Sequence, residues 1–290
     1  MQRILLRFVP SILSLSVLCG FAHATDVREV VLDNGLKVLT SLKGRSAETV
    51  ARAKTAGMQA ASDEEIAATD FILSILPPGD AVALAERFAP TLTASNAKPI
   101  YVDCNAISPK TVERLVAALA PTGAPYVDVG IIGGPPKPGD AGPRFYASGK
   151  EASRFATLKQ YGLDVRVLEG ELTAASALKM SYAGMTKGTQ AINAVMLLAA
   201  TREGTADALL AELQKSQPQM LAWLKSYLGT MPPKAYRWVA EMHEIADFVG
   251  DDPSGHELYV GAAHFYEQFA RDFETDKEAD AAIKKFFAKM

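Results

Sequence analysis

The sequence predicts an α/β domain built on a parallel sheet, followed by an all-α domain. Three observations predict it. Short β-rich runs alternate with longer helical stretches from Gly35 to Glu169, each bounded by Gly, Pro, Asn or Asp. The runs are almost continuously apolar, as in strands covered on both faces. From Leu172 onward the strand signal ends and only helical stretches follow.

Taken in order, LKVLTS (Leu36 to Ser41) reads as a strand and SAETVARAKTAG as a helix closed by Gly57. FILSIL follows Asp70 and stops at Pro77-Pro78, and PIYVDC, YVDVGII, RFYASG and DVRVLE continue the series. Ser46 with Glu48, Asp80 before AVALAERF, and Ser108-Pro109 with Glu113 mark helix starts. The helical half divides into 172–201, 205–215, 217–228, 232–249, 257–272 and 275–289, broken at Gly229, Pro232-Pro233 and the 250–255 cluster. Its first helix is apolar on nearly all sides, which fits burial between domains or subunits. The expected domains are 25–170 and 171–290.

Composition narrows the function classes. At 290 residues, 49% hydrophobic and 22% charged, the chain has room for two folded domains and is not disordered. Thirty cationic against thirty-three acidic side chains leave a net charge of −3, with no basic field for nucleic acid. Cys19 and Cys104 make no disulfide framework. Residues 1–24 stand apart: Arg3 and Arg7 precede the apolar ILSLSVLCGF and then Ala22-His23-Ala24, the layout of a secretory signal peptide. That run is too short for a membrane span.

In an open parallel sheet, ligands sit beyond the carboxyl ends of the strands. After LKVLTS come Arg45 and Ser46, where an acidic residue would take a ribose diol and an Arg-Ser pair would suit a ribose phosphate; a plain loop arginine beside a helix cap is the alternative. Leu76, Pro77 and Pro78 form a rigid turn, or only a strand terminator. Asn105 is a polar contact candidate beside Cys104, which reads as a small buried hydrophobe. Gly133 and Gly134, after Ile132, would let an anion approach backbone N–H groups. Lys179, among Ala177, Leu178 and Met180, is the most pointed single residue. A lysine stripped of water releases its proton more readily, which suits proton transfer near neutral pH, although a snorkelling side chain at a domain seam would look the same. Lys187, eight residues on, falls about 80° around an ideal helix. His243, His256 and His264 match no zinc-ligand spacing, so no metal is expected. REVVLDNGLKVLT is similar to the opening of an insulinase-type zinc peptidase, but the sequence holds no His-x-x-Glu-His to give that likeness chemistry.

These segments occur in a familiar order. NGLKVLTSLKGRSAETVARA, DFILSILPPGDAV, YVDCNAISPKTVERL, YVDVGIIGGPP with PRFYASG, LKMSYAGMTKG, and PKAYRWVAEMHEIADF together make the chain resemble the β-hydroxyacid dehydrogenase superfamily from about Asn34 to Phe269. That superfamily includes 6-phosphogluconate and 3-hydroxyisobutyrate dehydrogenases. The nearest subgroup comprises NAD(P)-dependent oxidoreductases whose helical domain was long catalogued as a domain of unknown function.

The resemblance implies a Rossmann-like domain, NADP as cofactor with NAD the alternative, and hydride transfer to or from a small hydroxy acid, sugar acid or related carbonyl. It implies Lys179 as general acid and base, Arg45, Ser46, Leu76, Pro77, Pro78 and Asn105 as cofactor contacts, and Gly133 and Gly134 as the substrate-carboxylate loop. It also implies a homodimer formed through the helical domain, and a cytoplasmic location against the periplasmic or secreted one that a leader would give. Four departures accompany it. Ile132 replaces a substrate-loop serine, Ala183 replaces a substrate-binding asparagine with Tyr182 as a substitute donor, and Ala106 replaces a threonine. The Gly-x-Gly-x-x-Gly turn expected after a first strand is missing from RFVPSILSLSVLCGFAHAT, where Gly20 is the only glycine. Either the N-terminus is foreign to the family, or the chain is a catalytically inactive dimerising scaffold that has lost its phosphate loop.

Overall fold

The computed structural model describes residues 14–17, 32, 34–134 and 142–290. The chain divides into two compact units, Met1–Lys179 and Met180–Met290.

Among the described residues, the first unit carries one eight-stranded sheet. Its strands are β1 Ser14–Val17, β2 Lys37–Thr40, β3 Gln59–Ala60, β4 Phe71–Ser74, β5 Ile100–Asp103, β6 Tyr126–Ile132, β7 Arg144–Ser148 and β8 Asp164–Val167. They lie in the order β3-β2-β1-β4-β5-β6-β7-β8, so the winding reverses at β1. Ser14–Val17 falls inside the stretch that reads as a leader and runs parallel to both β2 and β4. An apolar run with strand propensity serves either purpose, and only its pairing partners tell them apart. The rest of the leader-like stretch 1–24, including Gly20, lies outside the described residues.

The sheet is parallel from β3 to β6, but β7 runs antiparallel to β6, with Ile132 opposite Arg144, and β8 follows β7 in parallel. The parallel sheet expected from the alternation is present, with this one antiparallel pairing within it. The connection from Ile132 to Arg144 is too short for a crossover helix, so the chain turns back beside the strand it has just left.

Helices α1 Ala47–Thr55, α2 Asp63–Ala67, α3 Ala81–Ala94, α4 Pro109–Leu119 and α5 Ala152–Phe155 accompany the sheet. Ser46 Oγ accepts from the Thr49 N–H at 3.2 Å, and Ser108 Oγ from the Thr111 N–H at 3.2 Å, as their sequence positions predict. Asp80 does not cap α3. Pro78–Asp80 forms a turn of 3-10 helix, and Asp80 already has near-helical backbone angles (φ −96°, ψ −7°), which leaves its carboxylate no orphan N–H to accept from. The core beside the sheet centres on Phe155, whose ring meets Phe71 edge-on at 6.1 Å and Phe145 at 6.5 Å.

The second unit holds the C-terminal half of α6 Ala174–Ala183, then α7 Thr189–Arg202, α8 Ala206–Ser216, α9 Pro218–Leu228, α10 Ala235–Phe248, α11 Pro253–Glu274 and α12 Glu278–Phe287. The helix expected over 172–201 is interrupted at Gly184–Gly188 by a π-turn. The phenol of Tyr259 lies where a side chain at Gly184 would stand, 2.8 Å from the position of such a Cβ. With the helix locally widened, the 80° estimate for Lys187 no longer applies. Lys187 instead forms an ion pair with Glu241, and its ammonium lies 5.1 Å from the centre of the Trp238 ring. The cluster 250–255 separates α10 from α11 as expected, and its second half begins α11, because Asp252 accepts from the Ser254 N–H at 3.0 Å and Pro253 occupies the first helical position.

Phe155→Ala is expected to destabilise the first unit by about 3–5 kcal/mol, since it removes a fully buried ring that meets Phe71 of β4 and Phe145 of β7. The urea midpoint of the sheet-domain transition checks this, and an unchanged midpoint would show that Phe155 does not carry the core.

Candidate functional site

The site grows out of the last turns of β6. Side chains alternate between the two faces of a strand, so Asp128, Gly130 and Ile132 share one face. The N-terminal half of α6 lies against that face. Ser176 donates to Asp128 twice, from its backbone N–H and from its hydroxyl, each at 2.7 Å. Ser148 on β7 accepts from the Ala175 N–H at 2.9 Å and donates to the Leu172 carbonyl at 2.7 Å. At Gly130 the helix comes so close that an added Cβ would stand 2.7 Å from the Ala175 carbonyl oxygen and 3.1 Å from Lys179 Cβ. Only glycine permits this approach.

The result is that Lys179 Nζ donates to the Ile131 carbonyl at 2.9 Å. Its ammonium therefore stands where β6 ends and Gly133 and Gly134 begin. Gly133 has φ +128°, and a Cβ there would lie 3.1 Å from Pro143 Cα, so the loop leaves the sheet by a path open only to glycine. Both glycines are exposed while Ile132 is buried. The following residues, 135–141, lie outside the description. Tyr182, on α6 within the second unit, is 43% exposed.

The other strand ends divide into two kinds. At the end of β2, Arg45 is half-buried and Ser46 exposed at the N-terminus of α1. At the ends of β4 and β5 the polar groups turn inward. Asn105 is buried, its carbonyl oxygen accepts from the Leu76 N–H, and its amide donates to Ser74 Oγ at 2.8 Å and to Asp103. In this arrangement Asn105 fixes the turn that carries Leu76, Pro77 and Pro78. Leu76 and Pro78 are buried and Pro77 is half-buried. Burial pushes the Cys104 thiol well up, which agrees with its reading as a small hydrophobe.

A set of residues beneath the site was not singled out from the sequence. Ser74, Asp103, Asp128 and Ser148 are register partners on four neighbouring strands, and all are inaccessible to solvent. Burial and the neighbouring Asp128 push the Asp103 carboxyl up to about 8, against the opposing pull of Asn105. Burial pushes Asp128 up to about 6, opposed by the hydrogen bonds from Ser176. Near neutral pH Asp103 thus holds its proton and Asp128 carries the charge. The available signal was an acid inside each of the apolar runs PIYVDC and YVDVGII, because a buried carboxylate requires a partner. Among the described residues, no three His, Cys, Asp or Glu side chains come together as a metal site, and no helix is long and apolar enough to cross a membrane.

An open sheet whose winding reverses at β1, with its candidate groups at the strand ends and a helical domain appended, defines a dinucleotide-binding α/β protein of the dehydrogenase type. Residues 26–161 match the model of the NAD binding domain of 6-phosphogluconate dehydrogenase, and residues 200–269 match a domain of unknown function, DUF1932. The chain thus carries, in order, a match to the NAD binding domain of 6-phosphogluconate dehydrogenase and a match to the DUF1932 domain. It is 27% identical over 200 residues to an uncharacterized 28.5 kDa protein of Methanothermus fervidus, covering 68% of this chain and 75% of that one. It is also similar to a solved conserved protein of unknown function whose structure revealed similarity with 3-hydroxyacid dehydrogenases (28% identity, TM-score 0.60, covering 93% and 98% of the two chains). The fold is shared with the 3-hydroxyisobutyrate dehydrogenase of Mycobacterium tuberculosis (18% identity, TM-score 0.62, 93% and 98% covered).

The buried carboxylates make stability depend on pH in a definite direction. Both have folded values above the unfolded carboxyl value of about 3.9, so the folded protein binds the extra protons. Their stabilising contribution is complete below that unfolded value and is lost as pH rises through about 6 and then about 8. The melting temperature is expected to fall between about pH 4 and about pH 8, and Asp103→Asn to flatten the part of that fall above about pH 6. A wild-type melting temperature independent of pH over this interval would contradict the assignment.

Proposed function

We propose that this protein is an NADP-preferring oxidoreductase that moves hydride to or from a small hydroxy acid, sugar acid or related carbonyl, with Lys179 as general acid and base. The observation that carries the reading is the Lys179 ammonium at the end of β6, hydrogen-bonded to the Ile131 carbonyl beside the exposed Gly133-Gly134 loop. The likeness to a structure related to 3-hydroxyacid dehydrogenases supports the substrate class.

The donor set at the end of β2 fits the cofactor. Lys43, Arg45 and Ser46 stand where an NAD-selective protein would place an acid, at the N-terminus of a helix of nine residues. A guanidinium, an ammonium and a hydroxyl are matched to a ribose phosphate rather than to a ribose diol. Leu76, Pro77 and Pro78 would bring a rigid apolar turn against it. When bound, the nicotinamide supplies or accepts hydride. Lys179 then gives a proton to the developing alkoxide from Nζ, or removes one from the hydroxyl in the opposite direction. The Gly133 and Gly134 backbone, free of side chains, offers N–H groups to a substrate carboxylate. With Ile132 in place of a hydroxyl-bearing residue, recognition at this loop rests on backbone donors. This reading places the protein in the cytoplasm, where its cofactor is found.

The helical domain supports association. Met185, Ile192, Val195 and Met196 are apolar and exposed along one helical segment, Met185 to 74%. We propose that this face pairs two copies of the chain, as in the family it resembles.

Saturable quenching of NADPH fluorescence by the wild-type protein is expected, with weaker binding of NADH and a reversal of that preference in Arg45→Glu. Lys179→Ala is expected to lower turnover about a hundredfold or more while NADPH still binds. An absence of NADPH binding at millimolar concentration would favour the scaffold reading instead. In sedimentation, Met196→Glu is expected to give monomers from a wild-type dimer, and a wild-type monomer would remove the dimer proposal.

A further inference from the structure

We propose that Asp128 is a positioning residue for Lys179, acting through Ser176; the proposal rests on the oxidoreductase reading of Lys179. Both carboxylate oxygens of Asp128 are engaged by one residue of α6, through a backbone N–H and a hydroxyl at 2.7 Å each. Asp128 and Gly130 lie two residues apart on one face of β6, and Ser176 and Lys179 lie three apart, about one turn, on α6. The strand therefore holds the helix at Asp128, lets it approach at Gly130, and receives the ammonium at Ile131. Sliding or tilting α6 would break all three contacts together, so the Asp128 clamp sets where Nζ stands at the strand end.

The groups around the clamp favour this role. Asp128 is faced by Asp103 from β5, Ser148 from β7 and Ser176 from α6, with Tyr126 on its own strand. Ser148 brackets the start of α6 by bonds to Leu172 and Ala175, so the register between helix and sheet is fixed from two strands. A buried acid whose removal would leave two donors without an acceptor, here the Ser176 N–H and hydroxyl, holds those donors to one geometry. Here the geometry enforced is that of the helix turn bearing Lys179. A negative charge in the first turn of α6 also complements the helix dipole, which adds to the hold.

The test reads Lys179 directly, on the full chain and without cofactor or substrate. Trinitrobenzenesulfonate labelling of Lys179 is followed by peptide mapping across pH, with exposed Lys110 as internal reference. Asp128→Asn, Ser176→Ala and Ser176→Thr are compared with wild type. Labelling of Lys179 is expected to change by about threefold or more, with a displaced pH profile, in Asp128→Asn and Ser176→Ala. Ser176→Thr, which keeps the hydroxyl, is expected to restore it, and Lys110 to be unaffected throughout. Lys179 profiles that superimpose on wild type in folded variants, with only the melting temperature lowered, would overturn the proposal. Should Asp128→Asn fail to fold, Ser176→Ala decides alone, because it keeps the backbone bond to Asp128. Loss of NADPH binding in the wild type would sink the oxidoreductase reading while leaving this measurement intact, so the two failures are distinguishable.

Discussion

The docking of α6 onto β6 is the contact on which the rest of the site depends. It requires one position without a side chain, Gly130, and one with a carboxylate, Asp128, two residues apart on the same face of a strand. A methyl group at the first would push the helix backbone away, and loss of the second would leave its first turn without a partner. Because Lys179 is carried one turn beyond the clamp, the proposed proton-handling group inherits its position from a strand rather than from a flexible loop. Sites held on rigid elements keep their geometry better than sites held on loops alone.

Beneath this contact runs the buried row Ser74, Asp103, Asp128 and Ser148. Two adjacent carboxylates in a sheet interior cannot both ionise cheaply, and the structure separates them by their partners. Burial and the neighbouring Asp128 keep the proton on Asp103 against the donors of Asn105, whereas Asp128 accepts two donors from Ser176 and carries the charge. The same row connects two strand ends. Through Asn105 it fixes the Leu76-Pro77-Pro78 turn, and through Ser176 it fixes the helix of Lys179. One polar layer thus orients both the proposed cofactor turn and the proposed proton donor.

The outline of the fold was legible because it depends on short-range rules. Alternating apolar runs, caps at Ser46 and Ser108, and the loss of strand signal after Glu169 are local, and they correspond to observed elements. Lys179 stood out as a candidate, since a lysine in an otherwise apolar helix is conspicuous. The interruption at Gly184–Gly188 was not, because GMTKG has no helix breaker strong enough to announce a π-turn, which depends on Tyr259 from a helix far along the chain. The inward turn of Asn105 escaped notice for a similar reason. Its partners Ser74 and Leu76 lie on another strand end, and a polar residue after a strand looks the same whether it faces a ligand or its neighbours.

By itself the sequence determined the order of elements and the change from α/β to all-α, and it singled out Lys179 as a candidate, since periodicity, capping and apolar context act over a few residues. The tertiary structure alone decided that β7 reverses beside β6, that Ser14–Val17 pairs with β2 and β4, and that two acids in separate apolar runs stand side by side. Each of these is a matter of register between segments distant in the chain. Register is set by which side chains pack and pair across strands, a non-local sum that no single stretch of sequence contains.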